Sequence, residues 1–263
     1  MFVARKKMLI DTHTHLYLDA FDEDRPEMLD RALEAGVSRM FLPNIDSSSV
    51  EAMMDLCRAR PGVCFPMMGL HPTSVKENYR EELVLAEKGL DSPGIIGIGE
   101  CGIDLYWDRT HIREQEEVFR TQIGWAKERQ LPLVIHARDS FPEIFRILDE
   151  EGSEGLNGVF HSFTGGEAEL GKALGYGFMI GINGIVTFKN SGLDQVVKHL
   201  PHDRIVLETD APFLAPHPFR GKRNESTYLV RIAEKVAEIF DLNIEKLESI
   251  SSANALRLFS RVV

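Results

Sequence analysis

Eight short apolar stretches alternate with helix-patterned stretches from one end of this chain to the other, and few folds accept that rhythm. The apolar stretches lie at 8–11, 37–43, 63–68, 95–100, 132–136, 158–161, 178–182 and 204–210. Most are near-continuously apolar and rich in Val, Ile and Phe rather than alternating, as expected of parallel strands covered on both faces. Helical patterns fall between them at 25–35, 48–60, 77–89, 112–129, 141–151, 167–174, 193–200 and 225–240. In the last of these, Leu229, Ile232, Ala233, Val236, Ala237 and Phe240 recur at helical spacing. A further helix at 244–259 follows Asn243, a residue suited to cap a helix start. Eight strand–helix units in a row predict an α/β chain folded as a TIM (β/α)8 barrel with an extra C-terminal helix, the alternative being an open doubly wound sheet. With 263 residues, 43% of them hydrophobic, and no linker or low-complexity segment, one domain over 1–263 is expected.

A barrel also predicts where chemistry belongs, because active groups gather at the C-terminal ends of the strands. His13 and His15 follow the first strand, His71 the third, Glu100 ends the fourth, His136 the fifth, His161 the sixth and Asp210 the eighth. The other histidines, His111, His199, His202 and His217, fall at helix ends or in loops, where a solvated role is expected. Residues two apart on a strand point the same way, so His13 and His15 converge, and paired neutral imidazoles suit a borderline divalent ion. Each residue alone has a plainer explanation: a surface strand with two histidines, a core histidine bonded to backbone, a turn aspartate before Pro212. Glu100 resists one, since a carboxylate following such an apolar run is costly to bury without a cation. Together the set suggests two neighbouring divalent ions, His13 and His15 on one, His136 and His161 on the other, with Glu100 bridging. Asp210 would sit opposite, binding metal and taking a proton from an attacking water, so Asp210 and Glu100 are the expected catalytic residues.

Lys and Arg number 30 against 41 Asp and Glu, a formal charge of −11, which argues against a long non-specific grip on nucleic acid. Cys57, Cys64 and Cys101 show no paired-cysteine spacing and lie in apolar settings, so buried, reduced thiols and a cytoplasmic location are expected. Residues 1–7 are basic, but the apolar run behind them is too short for a signal peptide or a membrane span, and Met8, where the regular pattern begins, is an alternative start. The oligomeric state is left open, a monomer being sufficient.

The polar strand ends sit in an ordered set of segments that resembles the TatD-type metal-dependent deoxyribonucleases of the amidohydrolase superfamily. The segments are DTHTH at 11–15, GLHP at 69–72, IGECGID at 98–104, LVIHARD at 133–139, FHSFTG at 160–165, NGIVTFK at 183–189, LETDAP at 207–212 and APHPFRGKRNE at 215–225. The paired histidines alone are shared across the superfamily; the ordered set carries the resemblance, which runs from Ile10 to about Phe259. It implies a TIM barrel that hydrolyses phosphodiesters, as a 3′ to 5′ exonuclease on DNA, with divalent ions held by His13, His15, Glu100, His136, His161 and Asp210. Thr14 stands where Cys is common, Cys101 where Ile is common, and Ser226 where Pro often follows the Asn224–Glu225 pair; none of these removes a ligand. Other branches of the superfamily bridge their metals with a carboxylated lysine, whereas the fourth strand here offers Glu100 and no lysine, so an unmodified bridging ligand is expected.

Two dications of zinc, magnesium or manganese would stabilise charge on a phosphoryl oxygen and acidify a water. His71 and Arg138 at the rim, and the basic cluster Arg220, Lys222 and Arg223 after strand eight, would then contact the substrate, unless the cluster is merely a solvated loop. A local patch on an acidic chain predicts DNA single strands or 3′ ends as the partner, with little affinity for long duplex. The alternatives are hydrolysis of small esters, amides or lactones by the same centre, and a barrel that binds nucleic acid without catalysis.

Overall fold

Near-continuous apolar runs bury both faces of each strand, and the pairing that follows is wholly parallel. The structure, a computed structural model, describes residues 8–262. The basic stretch 1–7 and residue 263 lie outside the described residues. The strands are β1 (Leu9–Asp11), β2 (Val37–Pro43), β3 (Cys64–Met67), β4 (Ile98–Asp104), β5 (Leu133–Arg138), β6 (Gly158–Phe160), β7 (Met179–Ile182) and β8 (Ile205–Leu207). β1 to β3 pair in order, and so do β4 to β8. Two seams join these runs. Met68 bridges Ile98 in parallel, with Gly99 N–H donating to the Met68 carbonyl at 2.9 Å, and Thr12 N–H donates to the Leu207 carbonyl at 3.1 Å. The sheet therefore closes on itself as an eight-stranded barrel.

Helices follow the strands as an outer ring: α1 (Arg25–Ala35), α2 (Val50–Ala59), α3 (Tyr79–Gly89), α4 (Ile112–Arg129), α5 (Phe141–Glu151), α6 (Glu167–Gly175), α7 (Leu193–Val197) and α8 (Leu229–Phe240). Their limits have local causes. Pro26 sits in the first turn of α1, where no N–H is needed, and Gly36 ends it at φ 97°, a conformation that suits a residue without Cβ. The extra helix α9 (Ile244–Leu258) starts where the Asn243 side chain accepts from Lys246 N–H at 2.8 Å. No helix among the described residues is long and apolar enough to cross a membrane.

Most boundaries shift by a few residues from the sequence reading, three of them by more. β4 begins at Ile98 and runs to Asp104, so Glu100 lies inside the strand rather than at its end. Ile95 and Ile96 are buried but precede the stretch that pairs with β5. β8 stops at Leu207, leaving Glu208 to Asp210 beyond the strand, and α8 starts only at Leu229, after a short turn at Ser226–Tyr228.

The barrel interior is a separate apolar cluster to which every strand direction contributes: Ile10, Phe41, Met67, Ile96, Val134, Val159, Met179 and Val206. Ala255, Leu258, Phe259 and Val262, from α9 and the residues just after it, join this cluster. Phe259 is fully buried, its ring 4.9 Å from that of Phe41, so the C-terminal segment plugs the mouth opposite the strand C-termini. Removing so large a buried ring costs about 3–5 kcal/mol in transfer and cavity terms. Phe259→Ala is expected to lose that much in urea-denaturation free energy, whereas Met8→Ala, at a half-exposed position, should change it by less than about 0.5 kcal/mol.

Candidate metal centre

Strand parity builds the site. Inward residues recur every second position, so Val134 of β5 is followed on the same side by His136, and Val159 of β6 by His161 one residue past the strand, whereas His71 and Asp210 lie on the loops that leave β3 and β8. The apolar layer thus becomes a polar layer at the C-terminal mouth. β1 ends at Asp11, so His13 and His15 occupy a bend beyond the strand rather than the strand itself; their Nε2 atoms nonetheless converge to 3.3 Å. Asp11 secures that bend: its buried carboxylate accepts from Thr209 N–H at 2.9 Å and from the Thr209 and Ser226 hydroxyls at 2.6 and 2.7 Å. In β4, Gly102 has φ 131°, and a Cβ there would lie 2.1 Å from the His136 carbonyl. Only glycine lets β4 and β5 approach closely enough to bring Glu100 against His136.

The two oxygens of Glu100 face different partners. Oε2 lies 3.0 Å from His13 Nε2 and 3.5 Å from His15 Nε2. Oε1 lies 2.7 Å from His136 Nδ1, 3.2 Å from His71 Nε2 and 3.3 Å from His161 Nε2. Asp210 Oδ1 approaches His15 Nε2 at 3.7 Å and His13 Nε2 at 3.9 Å. A tetrahedral ion with bonds near 2.1 Å separates neighbouring donors by about 3.4 Å, so the spacing fits a divalent cation. Among the described residues, three donor triads lie within 4.8 Å: His13 with His15 and Asp210, His13 with Glu100 and His161, and His71 with Glu100 and His136. His136 and His161 share Glu100 Oε1, yet their rings are 6.2 Å apart, and His161 stacks instead on His13 at 3.4 Å.

Outer contacts decide which nitrogen of each ring is available. The Tyr17 hydroxyl donates to the Pro43 carbonyl at 2.6 Å, so it can only accept from His15 Nδ1–H, 3.0 Å away; His15 Nε2 is left with its lone pair facing the cluster. Asp104 Oδ2 lies 2.9 Å from His136 Nε2, turning Nδ1 inward. Glu208 Oε1 lies 3.0 Å from His161 Nδ1, turning Nε2 inward. His71 is the reverse case. Its Nδ1 accepts from Thr73 N–H at 3.1 Å, which places the proton of the neutral ring on Nε2, aimed at Glu100. His71 is therefore poised as a hydrogen-bond donor, while His15, His136 and His161 each turn the nitrogen opposite an outer contact toward the cluster, and His13 Nδ1 is buried without a hydrogen-bond partner. Asp104, Glu208 and Tyr17 escaped the sequence reading, although the first two stand inside quoted motifs; a strand parity count from Glu100 would have reached Asp104.

With this geometry, the likeness to known proteins is decisive. The sequence profile described as TatD related DNase matches residues 10–260. The chain belongs to that family. It is accordingly a metal-dependent hydrolase. YabD, an uncharacterized metal-dependent hydrolase of Bacillus subtilis (strain 168), is 38% identical over 253 residues, covering 96% of this chain and 99% of its own. A protein named 3'-5' ssDNA/RNA exonuclease TatD from Pectobacterium parmentieri is 32% identical over 257 residues, covering 95% and 99%. Among solved structures, YJJV, a TatD homologue from Escherichia coli k12, shares the fold with a TM-score of 0.90 at 24% identity, covering 96% and 98% of the two chains.

Electrostatics sort the histidines of this TatD-family centre. Burial, helped by His161, pushes His13 well below the usual imidazole range, and burial likewise lowers His71, so both are neutral. Burial also opposes charge on His136, but hydrogen bonds to Asp104 and Glu100 outweigh it and raise the group; Glu208 and Glu100 raise His161 well above its usual value. Burial works against the Glu100 carboxylate, yet His71, His161 and His13 hold it well below the ordinary range. Burial lifts Asp210 to about 6, against the pull of His161 and His15. Four acidic side chains, Glu100, Asp104, Glu208 and Asp210, thus lie among five imidazoles, two of them held neutral, a charge balance suited to added positive charge.

The expected substrate-contact residues separate. Arg138, at the end of β5, is exposed at the metal mouth and stacks over Tyr106 at 3.9 Å, with no ion pair among the described residues. Arg220 stacks over Phe188 at 4.0 Å, and Lys222 is exposed. Arg223 departs from the expectation of a substrate contact: its guanidinium forks onto Asp24 at 2.7 and 2.9 Å and donates to the Ala20 carbonyl at 2.7 Å. Arg31 joins Asp24 to Glu225, so the cluster ties the loop after β8 to α1. Hydrogen bonds to charged partners contribute about 1–2 kcal/mol once partial exposure is discounted. Arg223→Ala should therefore lower the Tm by roughly 2–8 °C, and Arg220→Ala by less than about 1 °C, as read by calorimetry.

Proposed function

We propose that this TatD-family hydrolase is a divalent-metal-dependent 3′ to 5′ exonuclease acting on single-stranded DNA. The observation that carries the reading is the divided Glu100 carboxylate, one oxygen toward His13 and His15 and the other toward His136 and His161, at an open mouth beside an unpaired Arg138. The name borne by the Pectobacterium relative supports the same substrate and also admits RNA. Two cations of zinc, magnesium or manganese would be held by His13, His15, Glu100, His136, His161 and Asp210: a first by His13, His15 and Asp210, whose donors lie within 4.8 Å of one another, and a second by His136 and Glu100 with His161, which would have to leave its stack on His13. Such ions, when bound, supply Lewis acidity to a phosphoryl oxygen and to the attacking water.

The chain's own groups do the rest. Asp210, with Oδ1 3.7 Å from His15 Nε2 at the mouth, would accept the proton of the attacking water. Its φ of 59°, in the left-handed region, aims the side chain at His15 and is held by Asp210 N–H donating to the His13 carbonyl at 2.9 Å. His71 Nε2–H, turned inward by Thr73, donates to Glu100 or to a non-bridging phosphate oxygen. Arg138 meets the next phosphate. Buried thiols at Cys57, Cys64 and Cys101, whose acidity burial suppresses, support a reducing, cytoplasmic setting.

Metal analysis of the purified protein, followed by 3′-end degradation assays with zinc, magnesium or manganese and a panel of small esters, amides and lactones, tests the reading. Glu100→Gln and Asp210→Asn should each cut oligonucleotide hydrolysis by roughly 10²–10⁴-fold while leaving circular dichroism unchanged. Full activity in both variants rejects the mechanism, and turnover of esters without turnover of oligonucleotides rejects the substrate.

A further inference from the structure

Seven large hydrophobic side chains are exposed among the described residues, and three are aromatic: Tyr106 at 55%, Trp107 at 69% and Phe213 at 52%. All three stand on loops at the mouth that holds the metal centre. Tyr106 and Trp107 follow β4 after the single residue Leu105, their rings edge to face at 5.0 Å and 88°. The Arg138 guanidinium lies 3.9 Å from the Tyr106 ring and 5.3 Å from that of Trp107. Phe213 lies across the mouth, after Asp210, with its ring 6.2 Å from that of His15.

These rings are not loosely hung. Asp104 Oδ1 accepts from Tyr106 N–H at 3.0 Å and from Trp107 N–H at 3.2 Å, while its Oδ2 lies 2.9 Å from His136 Nε2. One buried carboxylate therefore fixes both the aromatic turn and an imidazole of the metal centre. Arg109 Nε–H closes the loop onto the Leu105 carbonyl at 2.8 Å. A fixed pair of exposed rings beside an uncompensated guanidinium offers a π-face for a base and a charge for its phosphate, at a set distance from the reacting centre. On a chain of net charge −11 it also offers grip without a basic groove.

We propose that Tyr106, Trp107 and Arg138, with Phe213 opposite, form a stacking platform that holds the unpaired bases at the 3′ end of a single strand. The platform selects single strands because bases inside a duplex are already stacked on both faces and tied by their edges to a partner, so they cannot splay onto the rings. It is indifferent to base identity, since every base has such a face. This inference rests on the exonuclease reading and adds to it the residues that choose the strand.

Trp107 is its own reporter, because the chain's other tryptophan, Trp125, is buried in α4. Metal-loaded protein is titrated with a short single-stranded oligothymidylate carrying phosphorothioate linkages, with the same oligomer made abasic at its 3′ end, and with a blunt duplex. Quenching by the first, roughly tenfold weaker in apparent affinity for the other two, is the expected result. In steady-state assays on ordinary oligonucleotides, Tyr106→Leu with Trp107→Leu should raise KM about tenfold with kcat changed by less than about twofold. The same pair should erase the abasic discrimination, and Trp107→Phe should restore most of both. Quenching that is absent, or equal for the abasic oligomer, overturns the platform whatever the activity. If the wild type degrades oligonucleotides while the leucine variants keep its KM, the platform falls and the exonuclease reading stands. If no oligonucleotide is hydrolysed, the exonuclease reading falls, and the quenching series alone decides whether the rings hold bases.

Discussion

A carboxylate withdrawn from water needs positive or hydrogen-bonding company on every side, and Glu100, 2% exposed, obtains it from four imidazoles within 3.3 Å or less and a fifth at 3.5 Å. Much of the molecule answers to that requirement. β1, β3, β5 and β6 must each deliver a histidine to one point, and only a closed barrel turns the ends of strands so distant in sequence toward one axis. Gly102 is the local condition, since any side chain there would drive β4 from β5 and pull Glu100 away from His136.

Around this cluster the barrel is divided by depth. Each strand direction places an apolar residue in the lower interior, where Phe259 and its neighbours from the C-terminal segment close the mouth. The same period of two then carries polar residues into the upper interior, where they are held by a ring of outer contacts: Tyr17 on His15, Asp104 on His136, Glu208 on His161, Thr73 on His71. Stability is concentrated at one end and chemistry at the other. Those outer contacts fix ring orientation and proton position, which is the difference between a histidine that offers a lone pair and one that offers a proton.

The reading of strand and helix order from apolar periodicity is good because burial on both faces leaves a signal within each segment. α1, α4 and α5 occupy the predicted spans, and strand existence was legible for all eight. Boundaries were less so where pairing overrides composition. IGECGID reads as an apolar run ending at a carboxylate, yet backbone pairing with β5 carries the strand on to Asp104. The basic cluster shows the other limit: Arg220, Lys222 and Arg223 look alike in sequence, and only the proximity of Asp24, nearly two hundred residues away, turns one of them into a structural clamp.

By itself, the sequence determined the succession of eight strand–helix units, the parallel sheet they build and the residues that cap the strands with histidine and carboxylate. These are local matters, written in periodicity and residue type. Tertiary structure alone decided which oxygen of Glu100 meets which histidine, which imidazole nitrogen faces inward, and which arginine remains free at the mouth. Those outcomes depend on partners far apart in the chain, and a hydrogen bond's direction is set by the position of its partner in space, which no spacing along a single chain encodes.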